Sequence, residues 1–103
     1  MKDYMRMTCD NEEMWDVPLE VIAEHRADKI AKEEGKGNLE IYYKVYDEEY
    51  ELTMEQSAVS IAWAKENMTW GIVKMYAIRM NKVNKSVTDY DNAWKEHLEV
   101  VYH

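Results

Sequence analysis

Tyr4, Arg6 and Thr8 alternate with Met5, Met7 and Cys9 near the start of the chain. Period-two alternation predicts a half-buried strand over about 3–9. The turn-forming run Asp10-Asn11-Glu12-Glu13 ends it. From residue 17 onward the period changes. Leu19, Ile22, Ala23, Ala27, Ile30 and Ala31 fall on one helical stripe. Asp16 is the expected cap of this helix, and Pro18 suits its first turn, where no N–H partner is lost. Gly35 is the expected left-handed stop. These signals predict a helix over about 17–34.

Residues 38–54 fit two templates. Leu39, Ile41, Tyr43 and Val45 alternate as a strand would, whereas Leu39, Tyr42, Tyr43, Tyr46, Tyr50 and Met54 recur at helical spacing. The helical template explains the longer stretch, Asn38 can cap it, and Asp47-Glu48-Glu49 is unlike a strand interior. A further helix is expected over about 55–67, with Ala58, Val59, Ala62 and Trp63 as its apolar face. Alternation returns over about 74–83, predicting a second strand that pairs with the first. Ser86-Val87-Thr88-Asp89 resembles a capping box. Tyr90, Trp94, Leu98 and Val101 then predict a helix over about 88–102. The expected fold is α+β: one domain, 1–103, with a small antiparallel sheet packed against three or four helices.

Charge adds a second pattern. Residues 1–66 hold 17 acids and 8 bases, while residues 67–103 hold 4 acids and 5 bases, out of a net charge of −8. The acidic part repels nucleic acid and anionic membrane and attracts basic protein surfaces. No apolar stretch reaches the roughly 18 residues that span a bilayer. The start of the chain lacks the apolar core of a signal peptide. One cysteine, Cys9, rules out an intramolecular disulfide and fits a reducing cytoplasm.

Candidate chemistry is sparse. His25, His97 and His103 include no pair at the spacing of a helical metal site. Glu24, His25 and Asp28 read as a solvated helix face, as does the row Glu20, Glu24 and Asp28. Cys9 reads as a buried structural thiol. Ser57, Ser60 and Ser86 lack a nucleophile-elbow setting. Gly35-Lys36-Gly37 is too short for a phosphate loop. No catalytic residue, metal or cofactor is expected.

The most distinctive segment runs from Tyr42 to Glu55. After Lys44 it carries Asp47, Glu48, Glu49, Glu51 and Glu55 with no base, beside Tyr42, Tyr43, Tyr46 and Tyr50. Carboxylates pair with Arg and Lys, and tyrosine rings accept Arg stacking. Tyr42, Tyr46, Asp47, Glu48, Glu49, Tyr50, Glu51 and Glu55 are therefore the candidate partner-binding residues. The same pattern also fits a solvated face with tyrosines in the core.

Trp15-Asp16-Val17-Pro18-Leu19-Glu20-Val21-Ile22-Ala23-Glu24-His25-Arg26-Ala27 resembles a segment of small acidic proteins of tailed bacteriophages. Ala62-Trp63-Ala64-Lys65-Glu66-Asn67-Met68-Thr69-Trp70 is similar to a second segment of the same proteins. That resemblance implies a phage-type inhibitor acting in the host cytoplasm, of the anti-CRISPR or another anti-defence class. Its partner would be a basic host protein or ribonucleoprotein complex. An alternative is a homo-oligomer that sequesters a small molecule in a pocket lined by tyrosine and methionine. A metal-dependent enzyme is the third reading.

Overall fold

The computed structural model describes residues 2–84 and 89–103. Among these, strand β1 (Asp3–Thr8) leads through a tight turn into β2 (Met14–Pro18), then helices α1 (Leu19–Gly35), α2 (Leu39–Glu55) and α3 (Ser57–Asn67). A short helix α4 (Trp70–Val73), a 3-10 turn (Lys74–Tyr76) and strand β3 (Ile78–Arg79) follow, then α5 (Tyr90–Glu96) and β4 (Leu98–Tyr102). The sheet is antiparallel in the order β3-β2-β1-β4, so the fold is α+β.

The N-terminal alternation forms the expected strand. Met5, Met7 and Cys9 face the core, and Tyr4, Arg6 and Thr8 are only partly buried on the other face. Asn11 and Glu12 make the turn, Glu12 at a φ of 74°, and the Cys9 N–H donates to the Glu13 carbonyl at 2.8 Å. The two neighbours of β1 differ from expectation. It pairs with β2, which runs into the expected cap and start of the first helix, and with β4, which lies in the expected C-terminal helix. Met14 to Pro18 is strand because Trp15 and Val17 lie opposite Met7 and Met5, adding apolar surface to the core face. Asp16 therefore does not cap α1, and Pro18 takes the cap position with no side-chain hydrogen bond.

The expected strand over 74–83 shrinks to Ile78–Arg79, and it pairs with β2 instead of β1. Lys74–Tyr76 winds into a 3-10 turn. Beyond β3, Asn81 stands in for backbone pairing. Its side-chain oxygen accepts from the Met14 N–H at 2.8 Å and its amide donates to the Glu12 carbonyl at 2.9 Å.

The expected C-terminal helix also divides. Tyr90 to Glu96 is helical, capped by Asp89, whose carboxylate accepts from the Asn92 N–H at 3.0 Å. Leu98, Val100 and Tyr102 then alternate along β4, with Leu98 and Val100 opposite Met7 and Met5. The capping box at Ser86 lies outside the described residues.

Helix α1 ends one residue later than expected. Lys36 takes the left-handed cap position, with a φ of 47°, and Gly37 follows at a φ of 88°. Gly35 stays helical because α2 passes close by. A Cβ there would sit 3.3 Å from the Cα of Tyr42. Ala23, Ala27 and Ala31 continue the same small-residue row, all fully buried. The ambiguous segment 38–54 is helix. Asn38 caps it, accepting from the N–H groups of Glu40 and Ile41 at 3.0 and 3.3 Å.

The core gathers Met5, Met7, Val17, Leu19, Ile22, Ala64, Val73 and Trp94 between the sheet and α1, α3, α4 and α5. Trp94 is fully buried, and its indole N–H donates to the Ala64 carbonyl at 2.9 Å. Helix α2 packs mainly against α1 and buries Thr53 alone. The α1–α2 hairpin contributes to an elongated molecule, 51 × 26 × 21 Å. No helix among the described residues is long and apolar enough to cross a membrane.

Candidate partner-binding face

Tyr42, Tyr46 and Tyr50 recur every four residues, so one side of α2 carries a tyrosine ladder. Ring centroids of Tyr42 and Tyr46 lie 5.9 Å apart, and those of Tyr46 and Tyr50 lie 6.0 Å apart at an interplanar angle of 18°. The rings are half-buried against α1. The α1 row Glu20, Glu24 and Asp28 runs antiparallel beside them. Tyr42 donates its hydroxyl hydrogen to Asp28 Oδ1 at 2.6 Å, and Lys32 holds the other oxygen at 3.0 Å. Burial, then the charges of Glu24, Asp28 and Asp47, push the Tyr46 phenol up; burial, then Glu20 and Glu24, push Tyr50 up.

Asp47, Glu51 and Glu55 repeat at the same spacing on α2, and all three are exposed. Together with Glu24, Tyr46, Tyr50 and Met54 they line a depression of about 620 Å³ that has no base in its wall. Two carboxylate rows thus flank the tyrosine ladder, each repeating about every 6 Å along its helix. Glu48 is exposed. Glu49 is spent within the fold. It takes the Arg26 guanidinium at 2.9 Å, and Arg26 also reaches the buried Thr53 hydroxyl at 3.1 Å. The segment's spacing revealed the tyrosines and the α2 acids. It did not reveal that the α1 acids close the other side of the ladder.

A larger groove of about 1050 Å³ adjoins this face. Its floor is the α1 stripe Val21, His25, Asp28 and Lys32, one wall is Tyr42, Tyr43, Tyr46 and Asp47, and the other is Ile72, Met75 and Tyr76. His25 has a fixed tautomer. The Trp63 indole donates to its Nδ1 at 2.9 Å, which leaves the ring hydrogen on Nε2. Burial, then the Lys29 charge, lowers the His25 pKa. Arg26 and Lys29 also approach the Trp63 ring, at 5.9 and 5.7 Å from its centroid.

The remaining titratable clusters brace the sheet end. Glu13, buried, accepts from the Tyr90 hydroxyl at 2.6 Å and the Trp15 indole at 2.8 Å, and Arg79 approaches it at 2.7 Å. Trp15, Trp70 and Tyr90 pack around it, with Trp70 and Tyr90 stacked at 5.2 Å. Asp16, fully buried, takes Arg6 through two bonds of 2.8 and 3.0 Å and the His103 ring at 2.7 Å. Cys9 is buried, and burial, then Glu13 and Asp10, push its thiol up to about 11. At neutral pH it holds its hydrogen and is a poor nucleophile. Ser60 is buried and donates to the Ser57 carbonyl at 3.0 Å. Among the described residues no group of three or more His, Cys, Asp or Glu is placed to hold a metal ion.

Protein-family models, curated proteins and solved structures give no match to this chain. Its functional reading therefore rests on its own residues.

The two phenol–carboxylate pairs set a pH window. Burial alone would raise the Glu13 pKa, but hydrogen bonds from Tyr90 and Trp15 and the Arg79 charge outweigh it and hold the carboxyl below its ordinary value. Asp28 is lowered chiefly by the Tyr42 hydrogen bond and then by Lys32. Reciprocally, Tyr42 and Tyr90 are pushed up to about 12, first by those same hydrogen bonds. The carboxylates' contribution is complete above their unfolded pKa values, about 3.9 and 4.3, and is lost as pH falls through the lower folded values. The tyrosines' contribution is complete below about 10 and fades as pH rises toward the folded value. Urea midpoints should hold level only between about pH 6.5 and 8.5, because the lowered His25 begins to cost stability below that window and the raised Cys9 above it, and should fall further on both sides as the carboxylates and tyrosines titrate. Glu13→Gln should flatten the acid limb and Tyr90→Phe the alkaline one; unchanged limbs in both variants would count against these pairs.

Proposed function

We propose that this chain binds a basic protein surface, one built to hold nucleic acid, and occupies it as an acidic decoy. The observation that carries the reading is the pair of carboxylate rows on α1 and α2 with a tyrosine ladder between them. Fixed negative charges at a regular repeat imitate a phosphate backbone in what they offer Arg and Lys. The half-buried tyrosine rings add aromatic surface whose accessible faces can take a guanidinium group. The rows stand on helices packed against each other, so little side-chain order must be imposed on binding. Glu49 and Asp28 contribute least to this face, because Arg26 holds the first and Lys32 and Tyr42 hold the second, so Glu20 and Glu24 carry the α1 row.

The resemblance of Trp15–Ala27 and Ala62–Trp70 to small acidic tailed-phage proteins supports a phage-type inhibitor. In that setting the partner is a host defence nuclease or its guide complex, acting in the host cytoplasm.

The test uses a fluorescent arginine-rich peptide titrated with the full chain at low and high salt, with duplex DNA as competitor. Saturable binding that weakens with salt and is displaced by DNA is the expected result. The triple variant E20K/E51K/E55K should bind about 30-fold more weakly, since each exposed charge pair is worth roughly 0.5–1 kcal/mol and reversal adds repulsion. Equal affinity of the variant and the parent chain would reject this face.

A further inference from the structure

We propose that the chain pairs with a second copy of itself across the α1 groove, the apolar ridge of each copy seated against the tyrosine wall of the other. The first ground is where the exposed apolar surface lies. Tyr43, Ile72, Met75 and Tyr76 are 60, 45, 77 and 49% exposed, and all four line this one groove. Scattered exposed apolar residues are ordinary, but several converging on one concavity mark an interaction site.

The second ground is that the two walls are chemical complements. The α2 wall carries Asp47 beside Tyr43 and Tyr46, with Glu24 on the α1 floor, where Lys29 and the Asp28–Lys32 pair also lie. The opposite ridge belongs to residues 67–84, which contain no acid and carry Lys74 and Lys82, while Arg79 is already held by Glu13. Lys74 is exposed and adjoins Met75 in the 3-10 turn. Within one molecule the groove of about 1050 Å³ separates the walls. A two-fold rotation lays each ridge on the other copy's wall, so both are satisfied by one operation. Met75 then meets tyrosine faces, a favourable sulfur–aromatic contact. Lys74 of each copy faces Asp47 of the other, offsetting locally the repulsion of a chain with net charge −8. A foreign partner would have to bring an apolar and basic ridge of its own; this chain already presents one.

The pairing shares Glu24, Tyr46 and Asp47 with the decoy face, but Glu20, Glu51 and Glu55 do not line this groove, so their reversal distinguishes the two readings. Analytical ultracentrifugation of the full chain from about 5 to 200 µM is the experiment. A reversible rise from the 12.3 kDa monomer to twice that mass is expected. Met75→Glu should leave the thermal unfolding curve of the dilute, monomeric chain unchanged, since the side chain is exposed, and should hold the chain monomeric at high concentration. D47K and K74D should each weaken self-association at least tenfold, and an equimolar mixture of the two should recover it, because each reversed charge then meets its reversed partner. A monomer at every concentration overturns the proposal. So does an M75E chain that still dimerises, or a mixture that stays monomeric. Normal dimerisation of E20K/E51K/E55K with lost peptide binding would show that self-association stands whether or not the decoy reading does.

Discussion

Trp94→Ala is expected to cost about 4–5 kcal/mol, the upper part of the range for removing a large buried aromatic. Trp94 is the largest fully buried side chain, and it reaches from α5 into the core between β1 and α3. Truncation removes its packing and leaves a cavity that neighbouring backbone cannot fill. It also removes the indole hydrogen bond to the Ala64 carbonyl, a small added cost because that oxygen keeps the Met68 N–H at 3.3 Å. A domain of this size has a net stability of about 5–15 kcal/mol, so much of the margin goes. Urea unfolding followed by far-UV circular dichroism reads the effect. Trp94→Phe keeps most of the apolar packing while losing the N–H and part of the fused ring, and should cost less than Trp94→Ala. A loss under about 2 kcal/mol for Trp94→Ala would mean the core is looser than its burial indicates.

Asp16→Ala should be the next most damaging, at about 3 kcal/mol. The carboxylate is fully buried on β2 and accepts from both Arg6 and His103. Removing one partner of a buried ion pair typically costs about 3–5 kcal/mol, because the other charge is left without compensation. The lower end applies here, since the Arg6 side chain is 22% exposed and can recover some water. Asp16→Asn keeps the volume and one acceptor and should cost less. The double variant Arg6→Met/Asp16→Ala should recover part of the loss, because no orphaned charge remains. If the double variant is no more stable than Asp16→Ala, the Arg6 pairing is not the source of the loss.

Asp16 also explains much of what the sequence concealed. Asp16-Val17-Pro18 has the chemistry of a helix start, so the strand Met14–Pro18 disappears into a cap reading. The short alternation of Trp15 and Val17 becomes visible only when Met7 and Met5 lie opposite. At the other end, Tyr90, Trp94, Leu98 and Val101 keep helical spacing by coincidence across two elements. His97, at a φ of −124° and ψ of 64°, ends α5, and the rest joins β1. The long helices were legible because seventeen residues of α1 and of α2 give a period ample room to declare itself. For α2, Asn38 supplies a cap as well.

The candidate face was half legible for the same reason. Positions 42, 46 and 50 and positions 47, 51 and 55 are related by helical geometry alone. The meeting of the α1 acids with the tyrosine ladder depends on the register of the hairpin. That register is set by the close approach of Gly35 to Tyr42 and by the Tyr42–Asp28 bond. Glu49 looks like its neighbours in sequence, and only its tertiary partner Arg26 removes it from the surface set. The exposed ridge of Ile72, Met75 and Tyr76 lies in a stretch whose alternation resembled a strand, which hid its surface role.

The slender burial of α2 has a consequence in time as well as in space. With Thr53 as its one buried residue, α2 is held mainly by α1, whereas β1 is held on both sides by paired strands. A unit so attached opens at lower free energy than the whole molecule. The amides of α2 should therefore exchange with solvent sooner than those of β1. The tyrosine ladder and the Asp47–Glu55 row thus ride on the element that opens first, while the Glu20–Glu24 row on α1 and the sheet behind it stay in place.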